Sequence, residues 1–258
     1  MRFVRYTTRN DPTPRWGWVY QDQVGPLEGS PFDEFRRLEA DLPLASVRLL
    51  APLTPGKIIC VGRNYIEHAK EHNAEIPEVP LLFIKPVSSV IGHEQPILIP
   101  PQSQQVEHEA ELAVIIGQAA RRVEPPEALS YVFGYTIAND VTARDLQRRD
   151  GQWTRSKSFD TFCPLGPWIE TDFDPADALI TCHVNGQMRQ MASTHDMVFK
   201  VEQLIAFVSS IMTLEQGDIL LTGTPAGVSP LRQGDVVEIN IQGLGALRNP
   251  VATDTHKV

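Results

Sequence analysis

Glu109-Ala110-Glu111-Leu112-Ala113-Val114-Ile115-Ile116 sets two carboxylates two positions apart and then runs into five apolar residues. The run is short and rich in β-branched residues, so residues 111–116 read as a buried strand. Side chains two apart on a strand share a face, which aims Glu109 and Glu111 into one place. Like charges so close repel, and a nearby cation is the common remedy. A solvated strand end is the other reading of the same pattern. A metal pair made of His108 and Glu109 is a further alternative, although adjacent strand residues face opposite ways.

Working outward, Asp140 follows the strand candidate 132–139 and offers a third oxygen ligand. Three carboxylates without cysteine suit a hard ion such as Mg²⁺ or Mn²⁺, with open positions for water or substrate oxygens. Further strands are expected at 57–61, 80–84, 168–170, 179–184, 219–222 and 236–241. One long amphipathic helix is expected at 198–212 and a short one at 66–73. There is no regular βαβ alternation, no GxGxxG and no P-loop, which argues against a Rossmann sheet. The expected class is α+β and β-rich.

Before this lies a different stretch. Residues 1–6 and 16–20 alternate apolar and polar around Asp11-Pro12-Thr13-Pro14, which reads as a hairpin, and a short helix is expected at 31–39. The composition changes at Leu50-Ala51-Pro52-Leu53-Thr54-Pro55-Gly56. Residues 1–50 are therefore expected to form a small N-terminal domain, and residues 51–258 the catalytic one.

The 258-residue chain carries a net charge of −9 and a pI of about 5.3. That balance argues against general binding to nucleic acid or anionic membrane, but not against a small anionic substrate met by local cations. Three separated cysteines fit a reducing compartment rather than a disulfide framework. Residues 1–11 lack the apolar stretch of a signal peptide, and no run reaches the ~20 apolar residues of a membrane helix. A cytoplasmic location is the expectation.

Other polar groups carry chemistry of their own. His68 and Glu71, three apart on the short helix candidate, are neighbours on one surface. A carboxylate beside an imidazole raises its basicity, as a general base needs, while a plain surface pair is the bland alternative. Lys157, in Arg155-Ser156-Lys157-Ser158-Phe159-Asp160, reads either as part of a charged loop or as a cation that stabilises an enolate or oxyanion. Thr222-Gly223-Thr224-Pro225-Ala226-Gly227 reads as a tight turn, or as a turn whose glycines admit an anionic ligand.

Taken together, six segments in order resemble the fumarylacetoacetate hydrolase family. They are Cys60-Val61-Gly62-Arg63-Asn64-Tyr65 with His68, Phe83-Ile84-Lys85-Pro86, His108-Glu109-Ala110-Glu111-Leu112, Asn139-Asp140-Val141-Thr142-Ala143-Arg144-Asp145, Lys157-Ser158-Phe159-Asp160 and Leu221-Thr222-Gly223-Thr224-Pro225. The resemblance covers about residues 56–250 and implies a mixed β-roll of packed sheets, usually dimeric. It makes Glu109, Glu111 and Asp140 the ligands of Mg²⁺ or Mn²⁺, His68 and Glu71 the catalytic pair, and Lys157 the substrate-stabilising lysine. Arg63, Gln147 and Thr224 match positions that bind substrate, a small anionic oxo acid. The residues 1–50 are similar to the small domain of the homoprotocatechuate-pathway branch. A lid drawn from residues 67–78 is expected to set specificity. The implied chemistry is metal-dependent cleavage of a C–C bond in a 2,4-dioxo acid (acylpyruvate-type), which the His68–Glu71 pair favours. An oxaloacetate-type decarboxylase or a hydroxymuconate-type diacid isomerase on the same metal site is the alternative. A non-catalytic metal or oxo-acid binding protein is the reading from another class, and the retained ligands and His/Glu pair speak against it.

Overall fold

The structure is a computed structural model and describes residues 1–71 and 75–255. Among these residues the fold is β-rich, with a 13-stranded sheet, a five-stranded sheet and a two-stranded ribbon. The strand Ala110–Ile116 lies inside the large sheet. It pairs antiparallel with Val132–Asn139 on one side and with Ile219–Leu221 on the other. The strand Ile58–Gly62 continues the sheet, parallel to Ile219–Leu221, and Leu81–Lys85 follows it.

The unbroken apolar run of Ala110–Ile116 has a packing reason. Leu112, Val114 and Ile116 enter one core, which also holds Leu204, Ile205 and Val208 of the helix Val201–Ile211. Ala113 and Ile115 enter a second core with Phe3, Ile58 and Cys163. A strand covered on both faces has no solvent side to make polar. The helix buries Val201, Leu204, Ile205 and Val208, the one-face spacing of an amphipathic helix. The Gln203 side chain accepts the Lys200 backbone N–H at 2.8 Å and so closes its first turn.

The expected hairpin is present: Arg2–Thr7 pairs antiparallel with Arg15–Tyr20, Phe3 opposite Trp18. Arg2–Thr7 also pairs with Cys163–Glu170, so the N-terminal strands extend the large sheet. The helix expected at 31–39 does not form. Phe35–Arg37 is instead a short strand on Gln23–Gly29. Its three residues are all exposed, so there is no buried stripe to hold a helix. The strand expected at 168–170 begins earlier, at Cys163. Three strands of the second sheet, Ile97–Ile99, Gln187–Ser193 and Gly245–Thr253, were not expected. The short helix spans Ile66–Glu71, and residues 72–74 of the expected helix and lid lie outside the described residues.

Candidate active site

The strand end Glu109-Ala110-Glu111 meets Asp140 because Val132–Asn139 runs antiparallel to it, Ala110 opposite Asn139. The Asp140 backbone N–H donates to the Glu109 carbonyl at 2.9 Å and ties the two chain ends together. Each of Glu109, Glu111 and Asp140 offers an oxygen within 4.8 Å of the others. All three are buried, Glu111 and Asp140 to 1% exposure or less, which excludes the solvated-face reading. His108 is turned the other way and contacts Gln190 and Ser229, so it does not join Glu109 in a metal pair.

Buried cations balance these carboxylates. Lys157 Nζ donates to Glu109 Oε2 at 2.8 Å and to Asp140 Oδ2 at 2.6 Å. Lys85 Nζ donates to Asp140 Oδ1 at 2.6 Å. Arg144 donates to Glu109 and, at 2.7 Å, to Glu107. Burial by itself would raise the Glu109 carboxyl, but Lys157 and Arg144 outweigh it and hold that group well below the usual range. Glu111 goes the opposite way. Burial first, then the negative Asp140 and Glu109, push it well above the usual range, against the pull of Lys157 and the Gly223 N–H. Burial works against the Lys157 ammonium too, yet Asp140 and Glu109 hold it above its ordinary value.

The residues fit a divalent cation. The donors are hard oxygens, gathered and shielded from water, and among the described residues Glu111 has no cationic side chain in ion-pair contact. It accepts the Gly223 N–H at 2.7 Å. Gly223 sits at φ +93°, where a Cβ would lie 2.8 Å from that of Asn64, so a larger residue there would push this N–H off the carboxylate.

Facing the carboxylates is His68, buried to 7%, on the helix Ile66–Glu71. Its Nδ1 lies 3.5 Å from a Glu71 carboxylate oxygen. Glu71 in turn accepts the Gly227 N–H at 3.1 Å. One turn, residues 222–227, therefore touches both the carboxylate group through Gly223 and the imidazole pair through Gly227.

A cavity of about 200 Å³ brings together Arg63, His68, Glu109, Glu111, Asp140, Gln147, Lys157 and Thr224, eight of the expected site residues. Glu71, the ninth, stands behind His68. Lys157 ends a short helix, Thr154–Lys157, rather than lying on an open loop. The Thr224 hydroxyl is already engaged, donating to the Ala110 carbonyl at 2.9 Å and accepting from Gln190 at 2.8 Å. Gln147 holds Arg144 as well as lining the cavity.

Sequence reading assigned no role to Lys85 and Arg144, although both stand inside the segments quoted above. Arg148, Phe83 and Trp153 also line the cavity. Trp153 packs edge-on against Phe83 at 5.2 Å, under the Arg63 guanidinium at 6.0 Å. Close approach of Trp153 requires a glycine at position 62, where a Cβ would fall 2.5 Å from its ring.

Comparison with known proteins adds the following. The family described as fumarylacetoacetate (FAA) hydrolase C-terminal matches residues 57–252, and one described as Rv2993c-like, N-terminal, matches residues 1–52. An uncharacterised protein of Methanocaldococcus jannaschii is 56% identical, over 77% of this chain and 84% of its own. The mitochondrial oxaloacetate tautomerase fahd2 of Xenopus laevis is 42% identical, over 97% of this chain and 90% of its own. The crystal structure of 2-hydroxyhepta-2,4-diene-1,7-dioate isomerase from Mycobacterium marinum superposes with a TM-score of 0.90 at 41% identity, covering 99% of this chain and 100% of the other.

Proposed function

This chain belongs to the fumarylacetoacetate hydrolase family, and on that premise we propose that it is a divalent-metal-dependent enzyme that shifts a proton along a small 2-oxo acid, as a tautomerase or isomerase does. The observation that carries the reading is one small cavity lined by both the three-carboxylate group and His68. The names of the two relatives that align with nearly the whole chain, an oxaloacetate tautomerase and a diacid isomerase, support proton transfer over bond cleavage.

In this mechanism Glu109, Glu111 and Asp140 hold the cation, Mg²⁺ or Mn²⁺. When bound, such an ion supplies Lewis-acid polarisation of a 2-oxo group. Lys157 gives two N–H groups to Glu109 and Asp140 and keeps a third for an anionic substrate oxygen. The His68 imidazole takes the proton from the carbon next to the oxo group, and Glu71 stabilises the imidazolium. The proton returns at the substrate oxygen for tautomerisation, or at a more distant carbon for isomerisation. Arg63 and Arg148 at the cavity attract the substrate carboxylates, and Gln147 and Thr224 shape its wall.

C–C hydrolysis of an acylpyruvate-type substrate is the second reading, and the His68–Glu71 pair favours it, because the same base can activate water. Assays of the protein with Mg²⁺ or Mn²⁺ against enol-oxaloacetate and against an acylpyruvate separate the two. Faster ketonisation with no acylpyruvate cleavage supports the first reading; cleavage without ketonisation overturns it. We also propose the division at residue 50 into a small unit and a catalytic unit, a two-fold homodimer and a cytoplasmic location. The dimer is tested by sedimentation, where a lone 28.8 kDa species would count against it. Among the described residues no helix is long and apolar enough to cross a membrane.

A further inference from the structure

The strand that carries the metal carboxylates runs out of partners where they sit. Ile219–Leu221 pairs with residues 113–115 of Ala110–Ile116, and Thr222 reaches back to Leu112. Beyond that point the chain turns at Gly223, which leaves Ala110, the residue between Glu109 and Glu111, with no backbone hydrogen-bond partner on that side among the described residues. A side chain takes the place of the missing strand. Gln190 Oε1 accepts the Ala110 N–H at 3.1 Å. Gln190 Nε2 donates to Thr224 Oγ1 at 2.8 Å, and that hydroxyl donates to the Ala110 carbonyl at 2.9 Å. Both peptide groups of Ala110 are thereby held by one amide, directly and through one hydroxyl.

The orientation of that amide has no freedom. The Ala110 N–H can only donate, and the Pro225 carbonyl, 2.7 Å from Gln190 Nε2, can only accept. Oxygen must face Ala110 and nitrogen must face Pro225. His108 Nδ1, 3.0 Å from the same Oε1, must then carry its proton, and His108 Nε2 accepts from the Ser229 hydroxyl at 2.9 Å. Gln190 and His108 are fully buried. Gln190 comes from Gln187–Ser193, an edge strand of the other sheet, so a side chain of the second sheet completes the hydrogen bonding of the first here.

We infer that Gln190, oriented by His108, is a positioning residue that fixes the spacing of Glu109 and Glu111 for the metal. The inference rests on the metal reading of those carboxylates. Groups that orient ligands from behind typically change metal affinity by about 10–100-fold.

The test is Mn²⁺ binding to the full chain, with free ion read by electron paramagnetic resonance and folding checked by circular dichroism. Gln190→Met is expected to fold and to bind Mn²⁺ about tenfold or more weakly. Folded Gln190→Met that binds within about twofold of wild type overturns the inference and leaves the metal site standing. Wild-type protein that binds no Mn²⁺ overturns both. Should Gln190→Met not fold, Thr224→Val, which removes only the bridging hydroxyl, carries the test, and unchanged affinity there overturns the inference. Where both fold, the double variant is expected to bind no worse than about twofold below Gln190→Met alone, since both changes break one chain of bonds. Fully additive losses contradict it.

Discussion

The two halves of the cavity are built differently. The carboxylate half is anchored in the large sheet, and Glu109, Glu111, Asp140, Lys85, Lys157 and Arg144 are all buried. Its ion pairs are short and mutually dependent: Asp140 alone answers two ammonium groups. The imidazole half rides on six residues of helix, and Glu71 keeps about a third of its side chain exposed at 34%. Among the described residues it meets the backbone N–H of Gly227 and the His68 ring. The difference teaches that the carboxylate group, proposed to hold the activating ion, is fixed by the fold, whereas the His68–Glu71 pair, proposed to move the proton, is an attachment to it. A change in the first should cost stability and binding together; a change in the second should cost rate alone.

The largest effect belongs to the carboxylate half. Asp140→Ala leaves Lys85 and Lys157 short of a partner in the interior, so unfolding by denaturant should show a loss of about 3–5 kcal/mol. Metal binding should disappear with it. A variant as stable as wild type would break the contrast, because Asp140 would then be no keystone of the buried pairs. Next comes His68→Ala. Its turnover should fall by about 10²–10⁴-fold, the usual cost of a lost general base. Mn²⁺ affinity and melting temperature should stay near wild type, and a matching loss of metal affinity would merge the two halves into one.

A smaller effect sharpens the view of what stands behind the carboxylates. Burial pushes His108 down to about 4, against the opposing hydrogen bond of Gln190. Unfolded, the ring titrates near its ordinary ~6.5 and binds a proton that the native state refuses. Between those values the unfolded state holds more protons, so stability is complete above about pH 6.5 and falls as pH drops towards 4. The slope attributable to this group approaches about 1.4 kcal/mol per pH unit. His108→Asn should flatten that part of the profile; an unchanged profile would show that His108 takes no part in it. The smallest effect is on the imidazole helix itself. Lys70 and Glu67 pair at 2.7 Å with both side chains mostly in solvent, so Lys70→Ala should change stability by no more than about 0.5 kcal/mol in a thermal melt.

Much of this was legible in the sequence where a local pattern carried it. The strand Ala110–Ile116 and the helix Val201–Ile211 announce themselves by apolar spacing, and the Glu109/Glu111 spacing follows from strand alternation. The segment at 31–39 misled because its few apolar residues imitate a helix face, while the structure packs Phe32 on Phe133 and pairs the exposed Phe35–Arg37 as an edge strand. Gln187–Ser193 escaped because an edge strand with Met188 and Met191 exposed has no apolar face to display. Gln190 escaped for a different reason. Nothing local marks an amide that completes the ladder of a strand 80 positions away. Lys85 and Arg144 stood in quoted segments, but their work is pairwise charge balance, which only three-dimensional proximity reveals.

In the proposed function the carboxylate group, through a divalent ion, is needed for the enolate chemistry. The direct measurement is ketonisation of enol-oxaloacetate, followed by ultraviolet absorbance in a stopped-flow instrument, with protein stripped by a chelator and then titrated with Mg²⁺. Stripped protein should show only the solvent rate, and catalysis should return saturably as Mg²⁺ is added. Stripped protein that works as fast as the metal-loaded form would contradict that requirement.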